Sequence, residues 1–457
     1  MHPPRTDRGR LLLVLALAAA VIAFTATVPL LRGWFDLRVY HGAVDSWVHG
    51  GRLYDYRVPG TTYGFTYPPF AAVGMLPMAL LPLPVAIAGS LLLNLAALAV
   101  IVRLLAGRSW WRHGWYGCAL GACVLALFEP LRDTFSFGQV NLLLLALVLF
   151  DGRLLATGRE RWAGWGTGLA AAVKLTPALF IVLLLLSGRR RAAAVATAVA
   201  AGATGLAAWA APDASRFYWT EALWDTTRVG RLDYVSNQSL QGILARLGEP
   251  DRAAWVAVVL PVLCVWAVRA RRAAAAGDWT AAFALTGLTA CLVSPVTWVH
   301  HLVWLLPAFA VLVRAGHARV AGALYAVMCT SVVWLWFDDA SGVDGFLGGN
   351  TYTWITLGLL LWLPVGQSDG RRADLARSTR ATAPAPSAAA PATIQTSGRP
   401  DPSSTATAAA AGTASGPGRG RTRSASSEPT GSTRPAAPNP QSSSLRASSY
   451  TAKPPPA

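Results

Sequence analysis

The feature that most constrains this chain is a series of apolar runs, each about as long as a bilayer is thick, divided by short segments that hold most of the charge. Leu11 to Leu31 has the ~20 residues that a spanning helix needs, and Arg5, Arg8 and Arg10 precede it. Leu83 to Leu105 and Ala192 to Ala211 are of the same kind. With 54% hydrophobic residues, 13% charged residues and a mean hydropathy of +0.41, the 457-residue chain is too apolar to fold in water. In lipid, every backbone polar group must find its partner inside the protein, so the runs read as helices and the fold class as an all-α polytopic membrane protein.

The arginines orient the runs, because basic residues concentrate in cytoplasmic loops. The first run reads as an anchor rather than a cleaved signal, since it continues well past the usual signal length. Phe70 to Leu80 is too short to cross and reads as a piece that dips in and returns. Trp115 to Phe128 goes out, Glu129 to Gln139 reads as an outer turn, and Val140 to Phe150 returns to Arg153, Arg159 and Arg161. Ala163 to Ser187 has arginines on both flanks, so it must enter and come back, and Lys174-Leu175-Thr176-Pro177 supplies the bend. Ala253 to Val268, Ala281 to Val293, Leu302 to Val313, Val320 to Trp336 and Tyr352 to Val365 complete about ten transmembrane helices plus one re-entrant hairpin, with both termini inside. The domain reading is a transmembrane domain over 1–368, whose main outer-face loops are 33–69 and 212–252. Residues 369–457, rich in Ala, Ser, Pro and Thr, read as a disordered cytoplasmic tail.

The net charge of +17 lies mostly in short loops and that tail, as topology determinants do, so nucleic acid is not an expected partner; membrane lipid is. Cys118, Cys123, Cys264, Cys291 and Cys329 all lie in or beside apolar segments without metal-ligand spacing, so neither a metal nor another cofactor is expected.

With this topology, DLRVY, FTYPP, EPLRDTFSFGQVN, SNQS and SPVTWVHH all meet one membrane boundary, although they come from distant parts of the chain. Asp36 is the leading acid: a sugar transfer needs a carboxylate to take the acceptor hydroxyl proton. It could equally cap a helix starting near Leu37, and the two roles are compatible. Asp45 lies nine residues on, roughly opposite on a helix, and Asp55 is the third acid of that loop. His300 and His301 are adjacent, so one should face a cavity while the other bonds within the bundle. Lys174 stands out because only two of the 39 basic residues are lysines; it reads as a phosphate binder or as a lysine reaching an interface. Gln139 and Asn141 could bond a sugar or tie helices together. The candidate set is Asp36, His300 and His301 for catalysis; Lys174 and Arg38 for a donor phosphate; and Tyr40, Tyr67, Gln139, Asn141 and Asn237 for sugar and acceptor.

FDLRVYHGA, GRLYDY, FTYPPFAAVGMLPMALLP, FGQVNLLLLALVLFD, GTGLAAAVKLTPALFIVLLLL, NQSLQGIL and SPVTWVHHLVWLLPA, in this order from Trp34 to Pro307, resemble the actinobacterial polyprenyl-phosphate-mannose-dependent α-(1→2)-mannosyltransferases of glycosyltransferase family 87. SPVTWVHH stands where the family pattern has SPISWxHH. The resemblance implies a GT-C-type bundle in the plasma membrane with an extracytoplasmic site. It further implies a polyprenyl-phosphate sugar donor, a glycolipid or lipoglycan acceptor, and an acid in the first outer loop as base, which maps onto Asp36. Some members transfer arabinofuranose, which keeps that sugar open beside mannose. A glycolipid transporter or flippase is the competing class. It should place its polar groups at the midplane and show internal repeats, whereas here polarity gathers on one face and no repeat is evident.

Overall fold

The computed structural model describes residues 6–27, 33–107, 114–248 and 251–366. The tail expected over 369–457 lies outside the described residues. Helices α1 (Asp7–Thr27), α2 (Phe35–Val48) and α3 (Pro69–Met75, with a 3-10 turn Leu76–Leu80) are followed by α4 (Leu83–Ala106), α5 (Gly114–Leu127), α6 (Glu129–Phe137) and α7 (Asn141–Ala156). Next come α8 (Trp165–Val173), α9 (Ala178–Leu186), α10 (Arg190–Ala210), α11 (Pro212–Phe217) and α12 (Leu240–Leu247). The chain closes with α13 (Arg252–Ala275), α14 (Trp279–Val293), a 3-10 turn Val299–Leu305, α15 (Leu306–Arg314), α16 (Ala318–Cys329), α17 (Gly342–Gly348) and α18 (Thr351–Trp362). Among the described residues the only strand-like pairing is one isolated bridge, Arg57 with Gly64.

The fold is all-α and polytopic, but the span tally differs from the sequence reading. Four helices are long and apolar enough to cross a bilayer unaided: Asp7–Ala26, Leu83–Ala106, Arg190–Ala210 and Arg252–Ala275. A fifth span arises if α5 and α6, bent by 76° at Phe128, are taken together. Pro69–Leu80, Trp279–Val293, Val299–Arg314 and Ala318–Cys329 are shorter apolar helices, so among the described residues helix length and composition alone account for fewer spans than the ten expected. Residues 129–137 also correct the expected outer turn. They form a helix that buries Glu129, which accepts hydrogen bonds from Trp334 Nε1 at 2.5 Å and from the Tyr352 hydroxyl.

Helix α14 is the axis of the bundle: from Ala281 to Leu292 every side chain is buried. Around it, small residues let helices approach to backbone distance. A Cβ on Gly166 would sit 2.2 Å from the Leu147 carbonyl oxygen, and one on Gly168 would sit 2.4 Å from that of Ala196. Helix α8 is thereby locked between α7 and α10, and its last turn delivers Lys174. There the chain leaves the helix for an extended conformation (φ −145°, ψ 132°), and α9 begins after Pro177, so the expected bend falls where the lysine and proline put it.

Residues 33–69 form a second packed unit. Leu37, Val39, Tyr40, Ala43 and Val44 line one face of α2 and pack on Leu53, Tyr54, Phe65 and Tyr67, an aromatic-rich core covering the bundle. The unit is pinned at its start: Trp34 adopts a left-handed conformation (φ 52°), and its N–H donates to the Ser136 carbonyl at 2.7 Å.

Candidate active site

The start of α2, the FTYPP segment, the α6–α7 joint, the break after α8 and the 3-10 turn at Val299 converge on one network of side chains. Gln139 Nε2 donates to Asp36 Oδ2 at 2.5 Å, and Gln139 Oε1 accepts from the Tyr67 hydroxyl at 2.8 Å. Tyr67 in turn accepts from the Tyr40 hydroxyl at 3.0 Å and from Lys174 Nζ at 3.4 Å. Lys174 also donates to Asn141 Oδ1 at 3.1 Å, and its Nζ lies 2.8 Å from His301 Nε2. His301 Nδ1 accepts the Trp298 N–H at 3.1 Å, which fixes the ring with Nε2 turned to Lys174. An oxyanion entering the chamber meets the Lys174 amine with the His301 ring beside it.

Asp36 makes no capping bond. The N-cap of α2 is Trp34, without a side-chain hydrogen bond, and the Asp36 carboxylate turns to Gln139 instead. Burial raises the Asp36 carboxyl from its ordinary value to about 6, against the lowering effects of the Gln139 hydrogen bond and the Lys174 charge. A carboxylate that titrates near neutrality is matched to general-base work. The other two acids of the unit do not line the chamber: Asp45 is half-buried and 3.5 Å from His49 Nδ1, and Asp55 is exposed.

These groups line a cavity of about 380 Å3. Asp36, Tyr40, Tyr67, Gln139, Lys174 and His301 all face it, as do Tyr63, Tyr218, Asp225, Arg228 and Trp298. A second, almost wholly apolar cavity of about 900 Å3 shares Tyr40 and Gln139 with the first and extends between α3, α4, α7 and α8 past Met75, Leu93, Leu147 and Val173. The arrangement is a small chamber with polar groups on its wall, adjoining an apolar groove across Tyr40 and Gln139; a substrate with a polar head and a hydrocarbon chain suits such a pair.

Four candidates stand elsewhere. Arg38 is exposed, donates from Nε to the Gly33 carbonyl at 2.9 Å, and does not line the chamber. Asn141 is buried behind the chamber wall and reaches it through Lys174. Asn237 is fully buried with its amide engaged by backbone: Nδ2 donates to Leu232 and Pro295 carbonyls, and Oδ1 accepts the Thr297 N–H at 2.9 Å. It fastens the second long loop to the Ser294–Trp298 segment. His300 is buried with its ring 5.1 Å from that of Phe137, while its carbonyl accepts from Thr134 and Asn141. His301 is the histidine facing the chamber. The sequence reading missed Arg228, Trp298 and Tyr63; Arg228 carries no local signal among so many arginines, whereas Trp298 lies inside a motif that was singled out.

An all-α membrane bundle with a carboxylate, a part-buried lysine and a chamber that adjoins an apolar groove has the parts of a membrane glycosyltransferase. The sequence profile of glycosyltransferase family 87 matches residues 65–295, and the chain belongs to that family. The polyprenol-phosphate-mannose-dependent alpha-(1-2)-phosphatidylinositol mannoside mannosyltransferase of Mycolicibacterium smegmatis is 34% identical over 316 residues, covering 62% of this chain and 70% of its own. The corresponding phosphatidylinositol pentamannoside mannosyltransferase of Mycobacterium tuberculosis is 33% identical over 318 residues, covering 67% and 72%. No solved structure matches.

Proposed function

We propose that the protein transfers mannose from a polyprenyl-phosphate donor to a glycophospholipid acceptor at the outer face of the plasma membrane, with inversion at the sugar. The observation that carries this reading is the chamber that holds Asp36, Lys174 and His301 lying against the apolar groove, with Tyr40 and Gln139 lining both, in a family whose curated relatives bear names of polyprenol-phosphate-mannose-dependent enzymes. The prenyl chain lies in the groove past Val173, which brings its phosphate beside Lys174. The acceptor oxygen attacks C1 of a β-linked donor as its proton passes to Asp36. The C1–O bond breaks, and the phosphate leaves with the electron pair, its charge held by Lys174 Nζ with the His301 ring beside it. A phosphate leaving group is already ionised, so the step needs no second acid.

The test supplies purified protein with polyprenyl-phosphate mannose and, separately, the arabinofuranosyl analogue, and follows glycolipid formation. Product from the mannosyl donor alone is expected. Product from the arabinofuranosyl donor alone would reassign the sugar, and product from neither would overturn the reading.

The outer-face placement rests on the arginines, because nucleotide sugars are confined to the cytoplasm whereas lipid-phosphate sugars serve the far side. In a background cleared of the five native cysteines, Thr62→Cys is expected to react with a membrane-impermeant thiol reagent in intact cells. Arg159→Cys, also exposed, is expected to react only after permeabilisation. The opposite pattern would invert the topology and the site with it.

A further inference from the structure

The chamber holds a cation for which the transfer chemistry above has no use. Arg228 ends a 3-10 turn, Thr226–Arg228, in the second long loop and lines the chamber wall formed with Tyr63 and Trp298. Its Nη2 donates to the Tyr54 carbonyl at 2.6 Å and its guanidinium lies 5.2 Å from the centre of the Phe217 ring, while Nε is buried without a hydrogen-bond partner. The neighbouring acid does not serve it: Asp225 Oδ1 accepts from the Thr227 N–H at 3.1 Å and from the Thr227 hydroxyl at 2.5 Å. Arg57 Nη1 donates to the same Tyr54 carbonyl at 2.8 Å, so two guanidinium groups converge on one neutral oxygen. Among the described residues neither arginine has a carboxylate within 4.0 Å. Burial and the Arg57 charge act, in that order, to lower the Arg228 pKa, and the charges of Asp225 and Asp55, neither in contact with the guanidinium, offset them only in part.

Holding a half-buried guanidinium beside another cation is unfavourable unless an anion joins them, and a guanidinium fork matches the geometry of a phosphate. In the transfer reading Lys174 and His301 already serve the donor phosphate, beside Tyr40 and Gln139, which line both the chamber and the groove. We propose that Arg228, supported by Arg57, binds the phosphodiester of the acceptor headgroup and so selects an anionic glycolipid over a neutral glycoside. This inference rests on the transfer reading and deepens it. Because a chamber of about 380 Å3 is at the small end of ligand pockets, the phosphodiester it reaches belongs to a headgroup with few sugars between phosphate and reacting hydroxyl.

The full-length enzyme in lipid nanodiscs is assayed with two acceptors, a phosphatidylinositol mannoside and the neutral octyl α-mannoside, at saturating donor. Arg228→Gln is expected to lower kcat/KM for the anionic acceptor relative to the neutral one by roughly ten- to a hundredfold, the value of a hydrogen-bonded charge, through KM, with the donor KM unmoved. Arg228→Lys should recover part of the ratio. Equal losses with both acceptors, or a raised donor KM, would overturn the assignment. Binding of the phosphatidylinositol mannoside is also measured without donor, which separates this idea from the transfer reading. A wild type that transfers to neither acceptor but binds the anionic lipid more tightly than Arg228→Gln sinks only the transfer reading. Equal affinities of wild type and variant sink this one.

Discussion

Replacing Asp36 by asparagine is expected to slow glycosyl transfer by ~10²–10⁴-fold, the usual cost of losing a general base, while leaving the fold in place. The geometry makes this substitution clean. Asparagine keeps an oxygen that can accept from Gln139 Nε2, now at 2.5 Å from Asp36 Oδ2, and no helix cap is lost because Asp36 makes no capping bond. The sign of the linkage argues against a stability artefact. Burial raises this carboxyl to about 6, so the folded state holds the charged form at a loss, and the stability it costs is felt as pH rises through 6. Asparagine removes that cost, so thermal stability at neutral pH should be equal or higher. In the wild type, kcat/KM should fall about tenfold per unit below pH 6, as the base becomes protonated. The variant should lack that limb. A folded Asp36→Asn protein that transfers at near the wild-type rate would remove Asp36 from the mechanism.

Asp36 was legible because a carboxylate in a short polar motif beside an apolar run has few structural uses, and Lys174 because the chain almost never employs lysine. The bend after α8 was equally legible, since proline disfavours helix at the residue before it and lysine is costly in lipid. The choice between His300 and His301 was not. Both lie in a 3-10 turn whose orientation is set by Thr134 and Asn141 bonding the His300 carbonyl from another element. Asn237 shows the same limit: its sequence reads as a sugar-binding amide, yet its side-chain hydrogen bonds go to backbone, two of them, to Pro295 and Thr297, remote in sequence. Glu129 looked like part of a solvated turn because nothing local announces that Trp334 and Tyr352, more than two hundred residues on, will bury it and satisfy it. Local chemistry thus identified polar groups that line the chamber, whereas polar residues engaged by distant partners could not be told from them.

Lys174→Met is expected to raise the KM for the polyprenyl-phosphate donor by roughly tenfold to a hundredfold, as loss of a charge-assisted hydrogen bond should, with a smaller fall in kcat. The lysine is held by three groups, Tyr67 at 3.4 Å, Asn141 at 3.1 Å and His301 at 2.8 Å, and none of them is an anion. Its Nζ also stands 5.0 Å from the centre of the Tyr67 ring. A cation kept within a membrane domain by neutral hydrogen-bond partners, with its nearest charge, Asp36, bonded to Gln139 instead, is a poor structural device, because neutral groups would fill that space at less cost. It becomes useful when a phosphate arrives. Methionine matches the length of the side chain and suits the adjoining apolar wall, so insertion and detergent stability should be retained. Arginine is expected to restore little, since its planar fork needs room that the close ring of Tyr67, Asn141 and His301 does not leave. The acceptor KM should hardly change, which separates this effect from that of Arg228. An unchanged donor KM in a well-folded Lys174→Met enzyme would show that the leaving phosphate is held by His301 or Arg228 instead and that the lysine serves only the packing of the bend.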